Sequence, residues 1–146
     1  MTQIDPARLI GAIGDAVVVT DASGRICLWN PAAQRIFGFT QEEALGQSMD
    51  LIIPERLRPR HWDGYHQTMA SGITKYGSDL LRVPALAKGG RQISIAFTVA
   101  LLNAADGTPN AIAAVIRDET ERFREEREVR KRLGELEARS KMGSGE

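Results

Sequence analysis

The chain has 146 residues, 42% of them hydrophobic, with 19 basic against 19 acidic side chains, two histidines and one cysteine. That is enough apolar material for one ordinary core, and it excludes a wholly disordered chain. Zero net charge leaves no global field to draw in nucleic acid or an anionic membrane, and a lone Cys27 excludes an internal disulfide or a cysteine-rich metal site. Taken in chain order, the N-terminal residues lack the basic and apolar regions of a signal peptide, and no apolar run reaches the length of a membrane span. A cytoplasmic location is expected. Arg8 to Ile13 has a short amphipathic pattern and predicts a helix. Ala16 to Thr20 is rich in β-branched residues and predicts a strand. Asp21-Ala22-Ser23-Gly24 is turn chemistry, and Arg25 to Trp29 follows as the second strand of a hairpin. Asn30 caps a short helix with Pro31 at its first position and Gly38 at its close. Thr40 with Glu43 forms a capping box for another, ended by Gly46.

Ser48 to Ile53 reads as an apolar connector, and Pro54 to Ala70 as a longer helix ended by Gly72. Asp79 to Leu86 is a strand candidate, part of which Pro84 demotes to an edge or bulge. Lys88 to Arg91 turns the chain, and Gln92 to Leu102 is a long strand with Ile93, Ile95, Phe97 and Val99 on one face. A turn around Asp106-Gly107 leads to a last strand, Ala111 to Arg117. Hairpins on both sides of a helical insert predict an α+β architecture: one antiparallel sheet, helices on one face, and a cavity between the sheet and the helix Pro54–Ala70. From Arg117 to Lys141, 17 of 25 residues are charged, so a compact body (1–118) gives way to a linker or coiled-coil helix (119–141). Residues 142–146 read as a linker tail.

Three segments resemble the PAS family. Asp21 to Ala33 is similar to its strand-turn-strand leading into Asn-x-Ala. Phe37 to Gly46 resembles its Gly-Tyr-x-x-Glu-Glu-x-x-Gly helix pair, with Phe39 in place of tyrosine. Arg117 to Arg122 resembles the Asp-x-Thr junction between the last strand and a signalling helix. The resemblance spans about residues 8–120 and implies a five-stranded antiparallel sheet in a sensory module. It also implies an effector domain C-terminal to the segment, such as a kinase, cyclase, phosphodiesterase or receptor.

Both histidines lie on the long predicted helix. At about 100° per residue, Leu57, His61, Gly64, Tyr65 and Thr68 share a side, and His66 points away. An inward neutral imidazole is what a five-coordinate haem iron requires, and Gly64 removes bulk one turn on. A histidine packed in the core is the plainer alternative. Leu57 to His61 is similar to the stretch carrying the proximal haem ligand in PAS oxygen sensors of the phosphodiesterase kind. Asp63-Gly64-Tyr65 resembles the triplet after that ligand in rhizobial oxygen-sensor kinases, with Trp62 extra relative to the kinase pattern. Those sensors carry an arginine that contacts oxygen where this chain has Leu81, with Arg82 beside it. The resemblance therefore implies b-type haem with His61 as the metal ligand. The cofactor would be lined by Leu57, Gly64, Tyr65, Leu81, Ile93, Ile95 and Val115, and the ligand would be a diatomic gas. Arg56, Arg58 and Arg60 could pair with its carboxylates, or form a solvated helix face.

Cys27 lacks the helix context of a flavin-adduct cysteine, so flavin photochemistry is not expected, and a strand cysteine is ordinarily a small buried hydrophobe. Trp29 and Trp62 could stack on a flat cofactor or serve as core. Val129, Leu133 and Leu136 make a short stripe that, with Leu9–Ile13, predicts a homodimer. No paired carboxylates, phosphate loop, nucleophile pattern or zinc spacing points to an enzyme; His61 and His66 are five apart. Two other readings remain open: a ligand-free dimerisation or protein-interaction module, and a domain that binds a small carboxylate through Arg60 or Arg82.

Overall fold

The structure, a computed structural model, describes residues 1–74 and 76–144. Helix α1 (Pro6–Ala12) starts where Asp5 accepts the Ala7 N–H and Pro6 supplies a preset φ. Strands β1 (Ala16–Asp21) and β2 (Ile26–Trp29) flank a tight turn. There Asp21 Oδ1 accepts from Ser23 N, Ser23 Oγ and Arg25 N, and Gly24 takes φ +83°. Asn30 caps α2 (Pro31–Phe37), and Gly38 closes it in the left-handed region. Both halves of the Thr40/Glu43 capping box form at α3 (Gln41–Ala44). One expectation changes here. The helix foreseen from Pro54 breaks into a 3-10 turn, Glu55–Leu57, and then α4 (Arg58–Ser71). Pro59 is the reason: in a continuous helix it would lack the N–H owed to Glu55 and its ring would clash, whereas near the start of α4 neither matters.

After α4 come β3 (Leu81–Leu86), β4 (Gln92–Asn103) and β5 (Pro109–Asp118). The five strands form one antiparallel sheet in the order β2-β1-β5-β4-β3. Its inner face carries Ala16, Val18, Ile93, Ile95, Phe97, Val99, Ala114 and Ile116, packed against Trp29, Ala33, Phe37, Ala44 and Ile52. Phe37 is wholly buried, and truncating such a ring costs about 3–5 kcal/mol. The outer face presents Val17, Val19 and Ala111, covered by Ile10 and Ile13 at α1. Asn30 ties the two layers together. Its Oδ1 accepts from Val17 N (2.9 Å) and Ala33 N (3.0 Å), and its Nδ2 donates to Ile10 O (3.0 Å) and Asp15 O (3.1 Å).

The exit from the sheet is built from short polar contacts. Asp118 Oδ1 accepts from Thr120 N (2.9 Å) and Thr120 Oγ1 (2.5 Å), while Thr120 Oγ1 accepts from Ser94 N (3.1 Å). Arg117 makes a two-pronged pair with Asp15 at 3.0 and 3.1 Å, joining this exit to the loop before β1. From there α5 (Thr120–Ser144) projects, with Phe123, Val129, Leu133 and Leu136 exposed along it. Among the described residues, no helix is long and apolar enough to cross a membrane.

Candidate functional site

Helix α4 seats its inward residues on one end of the sheet. Tyr65 is buried; its hydroxyl donates to the Asp21 carbonyl and lies 3.1 Å from Thr20 Oγ1. Burial pushes the phenol pKa up, which keeps it a donor. Trp62 donates from Nε1 to Asp50 Oδ1 at 2.7 Å, and its ring lies over Gly24. Arg58 donates from Nε to Ile53 O and from a terminal guanidinium nitrogen to Asp50 O. His61 is half-buried between these groups, its ring 4.6 Å from that of Trp62 and 5.9 Å from that of Tyr65.

His61 Nδ1 is buried without a hydrogen-bond partner, the one such side-chain polar atom among the described residues. Burial holds its pKa below the ordinary imidazole value, with Asp50 opposing and His66 adding to the effect. The ring is therefore neutral at pH 7, and a neutral imidazole has a lone pair free for a metal. His66 is exposed and stacks on Trp62, with centroids 6.1 Å apart. Among the described residues, no group of three or more His, Cys, Asp or Glu side chains is placed to hold a metal ion.

The sheltered residues of α4 are Arg58, His61, Trp62, Tyr65, Thr68 and Met69, so of the expected face Gly64 alone is exposed. Gly64 is exposed and a Cβ there would meet nothing within 4 Å, so it makes no room against the sheet. Leu57 is half-buried in the turn before α4. Val115 is 42% exposed and lies on the outer face. It pairs with Val17 and Thr98, whereas the inward row is Val18, Ala114 and Val99, so strand parity removes it from any pocket under α4. Leu81 is half-buried opposite Phe97 on the inner face. Ile93 and Ile95 are buried in the main core. Tyr65 lands on the row Thr20, Ile112, Leu101, and Ile95 lies six residues earlier on β4, about 20 Å at 3.3 Å per residue.

His61 and Tyr65 are thus together, while Leu81, Ile93, Ile95 and Val115 stand apart from them. Tyr65 is buried on the inward side of α4, and Trp62 beside it is half-buried. Arg60 is exposed on α4 and Arg82 is exposed on the outer face of β3. Cys27, expected to be buried, faces solvent on the edge strand β2. Asp50 and Gly24 were not foreseen as site residues. An indole N–H on an inward helix face does call for an acceptor, but only the tertiary fold shows that Asp50 supplies it.

A family model described as the PAS fold matches residues 5–119. Sensor protein FixL of Bradyrhizobium diazoefficiens is 42% identical over 57 residues, covering 39% of this chain and 11% of that protein. Oxygen sensor protein DosP of Escherichia coli is 25% identical over 87 residues, covering 60% of this chain and 11% of that protein. The chain therefore spans a small part of the length of these relatives. Among solved structures, the PAS domain of a protein from Colwellia psychrerythraea is similar with a TM-score of 0.69 at 21% identity, over 79% of this chain and 94% of that one.

Proposed function

Since the chain belongs to the PAS family, we propose that it is the sensory input domain of a longer signalling protein and that it binds b-type haem at α4 through His61. The carrying observation is the buried, unpartnered Nδ1 of a neutral His61. A buried polar atom left without a partner costs about 1–3 kcal/mol, so its retention calls for a compensating role. Ligation of a metal centre is one that imidazole fills. The resemblance of Leu57–His61 to haem-binding PAS stretches supports the same residue, and so does the similarity to a protein named as an oxygen sensor.

When bound, haem supplies an iron centre that takes small neutral gases. The chain's own residues do the rest. Burial keeps the His61 lone pair free of a proton. Arg56 and Arg60, exposed on either side of the start of α4, supply cations with which haem carboxylates can pair. Tyr65 couples α4 to Thr20 and Asp21 at the end of β1, and β1 pairs with β5 along its whole length. A shift of α4 is thereby passed to β5, to Asp118 and Thr120, and to α5. In this reading α5 pairs with a second copy along Val129, Leu133 and Leu136 and leads to an effector domain.

The test is a haem titration of wild type, His61→Ala and His66→Ala followed in the Soret region. A stoichiometric band in wild type and His66→Ala, lost in His61→Ala, supports the reading. No uptake by wild type, or full uptake by His61→Ala, overturns it. A second reading, a ligand-free dimerisation or interaction module, is favoured by one observation: Tyr65, buried on the inward side of α4, is bonded to the chain's own Thr20 and Asp21.

A further inference from the structure

Every residue of α5 from Glu121 to Gly143 is exposed, so the helix packs on nothing in its own chain beyond its first turn. Its internal ion pairs join Arg122 to Glu119 and Glu126, and Arg132 to Glu128, at 3.5–3.9 Å between exposed side chains. Such pairs contribute little. They give no reason for Val129, Leu133 and Leu136 to stand in solvent along one line. At about 3.5 residues per turn that line continues through Arg122, Glu126 and Ser140, and it has two flanks. Glu125 and Arg132 lie on one flank, Arg130 and Glu137 on the other. Among the described residues, Glu125, Arg130 and Glu137 have no ion pair within the chain.

The signs on those flanks choose an arrangement. In a parallel, in-register pair of helices, each residue of the first flank meets the second flank of the other copy in the next heptad. Glu125 then meets Arg130 of the second copy, and Arg132 meets Glu137 of the second copy, so every meeting joins opposite charges. An antiparallel pair brings like flanks together. With Leu133 against Val129, Arg130 and Arg132 each face themselves; with Leu133 against Leu136, Arg132 faces Arg139. We propose that α5 recognises a second copy of this chain, parallel and in register, through the Glu125–Arg130 and Arg132–Glu137 pairs across the Val129, Leu133, Leu136 seam. Glu126 is the polar layer of that seam: it faces its own copy, which costs stability and fixes the register. The proposal rests on the reading that α5 pairs with a second copy, and it is independent of haem.

Sedimentation equilibrium of the full chain tests it, with Arg132→Glu, Glu137→Arg and the double variant. Each is made both in wild type and in a Glu126→Leu background, so that a weak dimer is still readable. Each single reversal should weaken the dimer about tenfold, and the double variant should return to within about threefold of its parent. Glu126→Leu alone should tighten the dimer about tenfold or more. Rescue separates pairing across the seam from lost helicity, because the double variant still lacks the Arg132–Glu128 pair. A double variant that is not rescued, or an Arg132→Glu dimer as tight as its parent or tighter, overturns the parallel register while the dimer itself stands. A Glu126→Leu chain that associates no better than wild type removes residue 126 from the seam and overturns the register as well. If the wild-type and Glu126→Leu chains both stay monomeric, the pairing on which the proposal rests fails with it.

Discussion

Asn30→Ala should be among the most damaging single changes to a polar residue in this chain. Asn30 is buried, and all four of its hydrogen-bonding positions in the fold are used: Val17 N, Ala33 N, Ile10 O and Asp15 O. Alanine removes the α2 cap and leaves two N–H groups without acceptors at a buried position. It also frees two carbonyls on the α1 side, where water can reach them more easily. The Ala33 N–H of the cap is one of those two donors, and each stranded buried donor costs about 1–3 kcal/mol. The expected loss is therefore about 4 kcal/mol. Urea unfolding followed by far-ultraviolet circular dichroism reads it directly: with a slope of about 2 kcal/mol per molar, the midpoint should fall by about 2 M. Asn30→Asp gives an internal control. It keeps the acceptor for Val17 and Ala33 but turns a carboxylate toward two carbonyls. It should be destabilised at neutral pH and partly recover in mild acid, where the protonated carboxyl can donate. A loss below about 1 kcal/mol in Asn30→Ala would refute the reasoning, because it would mean that α1 and α2 do not depend on this amide.

The remaining expectations concern the two ends of the sheet. Thr120→Ala removes the acceptor of Ser94 N–H and one of two contacts to Asp118, so it should cost about 1–2 kcal/mol and speed amide exchange at the start of α5 more than in β1. Exchange changes spread evenly over the chain would contradict a local junction. Asp21 is held below the ordinary carboxylate pKa, first by the Ser23 hydroxyl and then by backbone N–H groups. Its contribution is therefore present above the ordinary carboxylate range and is lost as pH falls through its lowered value. Asp21→Asn should flatten the acid limb of the stability profile, and a profile of unchanged slope would remove Asp21 from that limb.

Local chemistry was legible wherever a short motif closes on itself. The Asp21–Gly24 turn, the caps at Asn30 and Thr40, the Gly38 terminator and the alternation of Ile93, Ile95, Phe97 and Val99 all involve partners a few residues apart. Parity on β5 was not legible. Both Ala111/Ala113/Val115 and Ile112/Ala114/Ile116 are apolar, so only pairing with β1 and β4 decides which row faces the helices. The phase of α4 was hidden for a related reason. Gly64 and Trp62 are both ways of extending the His61 and Tyr65 face, and Gly64 is the one left exposed. The second wins because Trp62 finds Asp50 and Gly24, and Tyr65 finds Thr20 and Asp21, at sequence separations from 12 to 45. Asn30 shows the same limit within one residue: its cap was visible, and its bonds to Ile10, Asp15 and Val17 were not.

The most direct test of the central claim is chemical complementation of a cavity at His61. His61→Gly is purified without haem and titrated with hemin in the presence and absence of free imidazole, next to wild type. The account predicts a stoichiometric Soret band in wild type, little band in His61→Gly alone, and recovery of the wild-type spectrum when imidazole supplies the missing ligand. A wild-type chain that takes up no hemin, or a His61→Gly chain that gives the wild-type spectrum without imidazole, would contradict it.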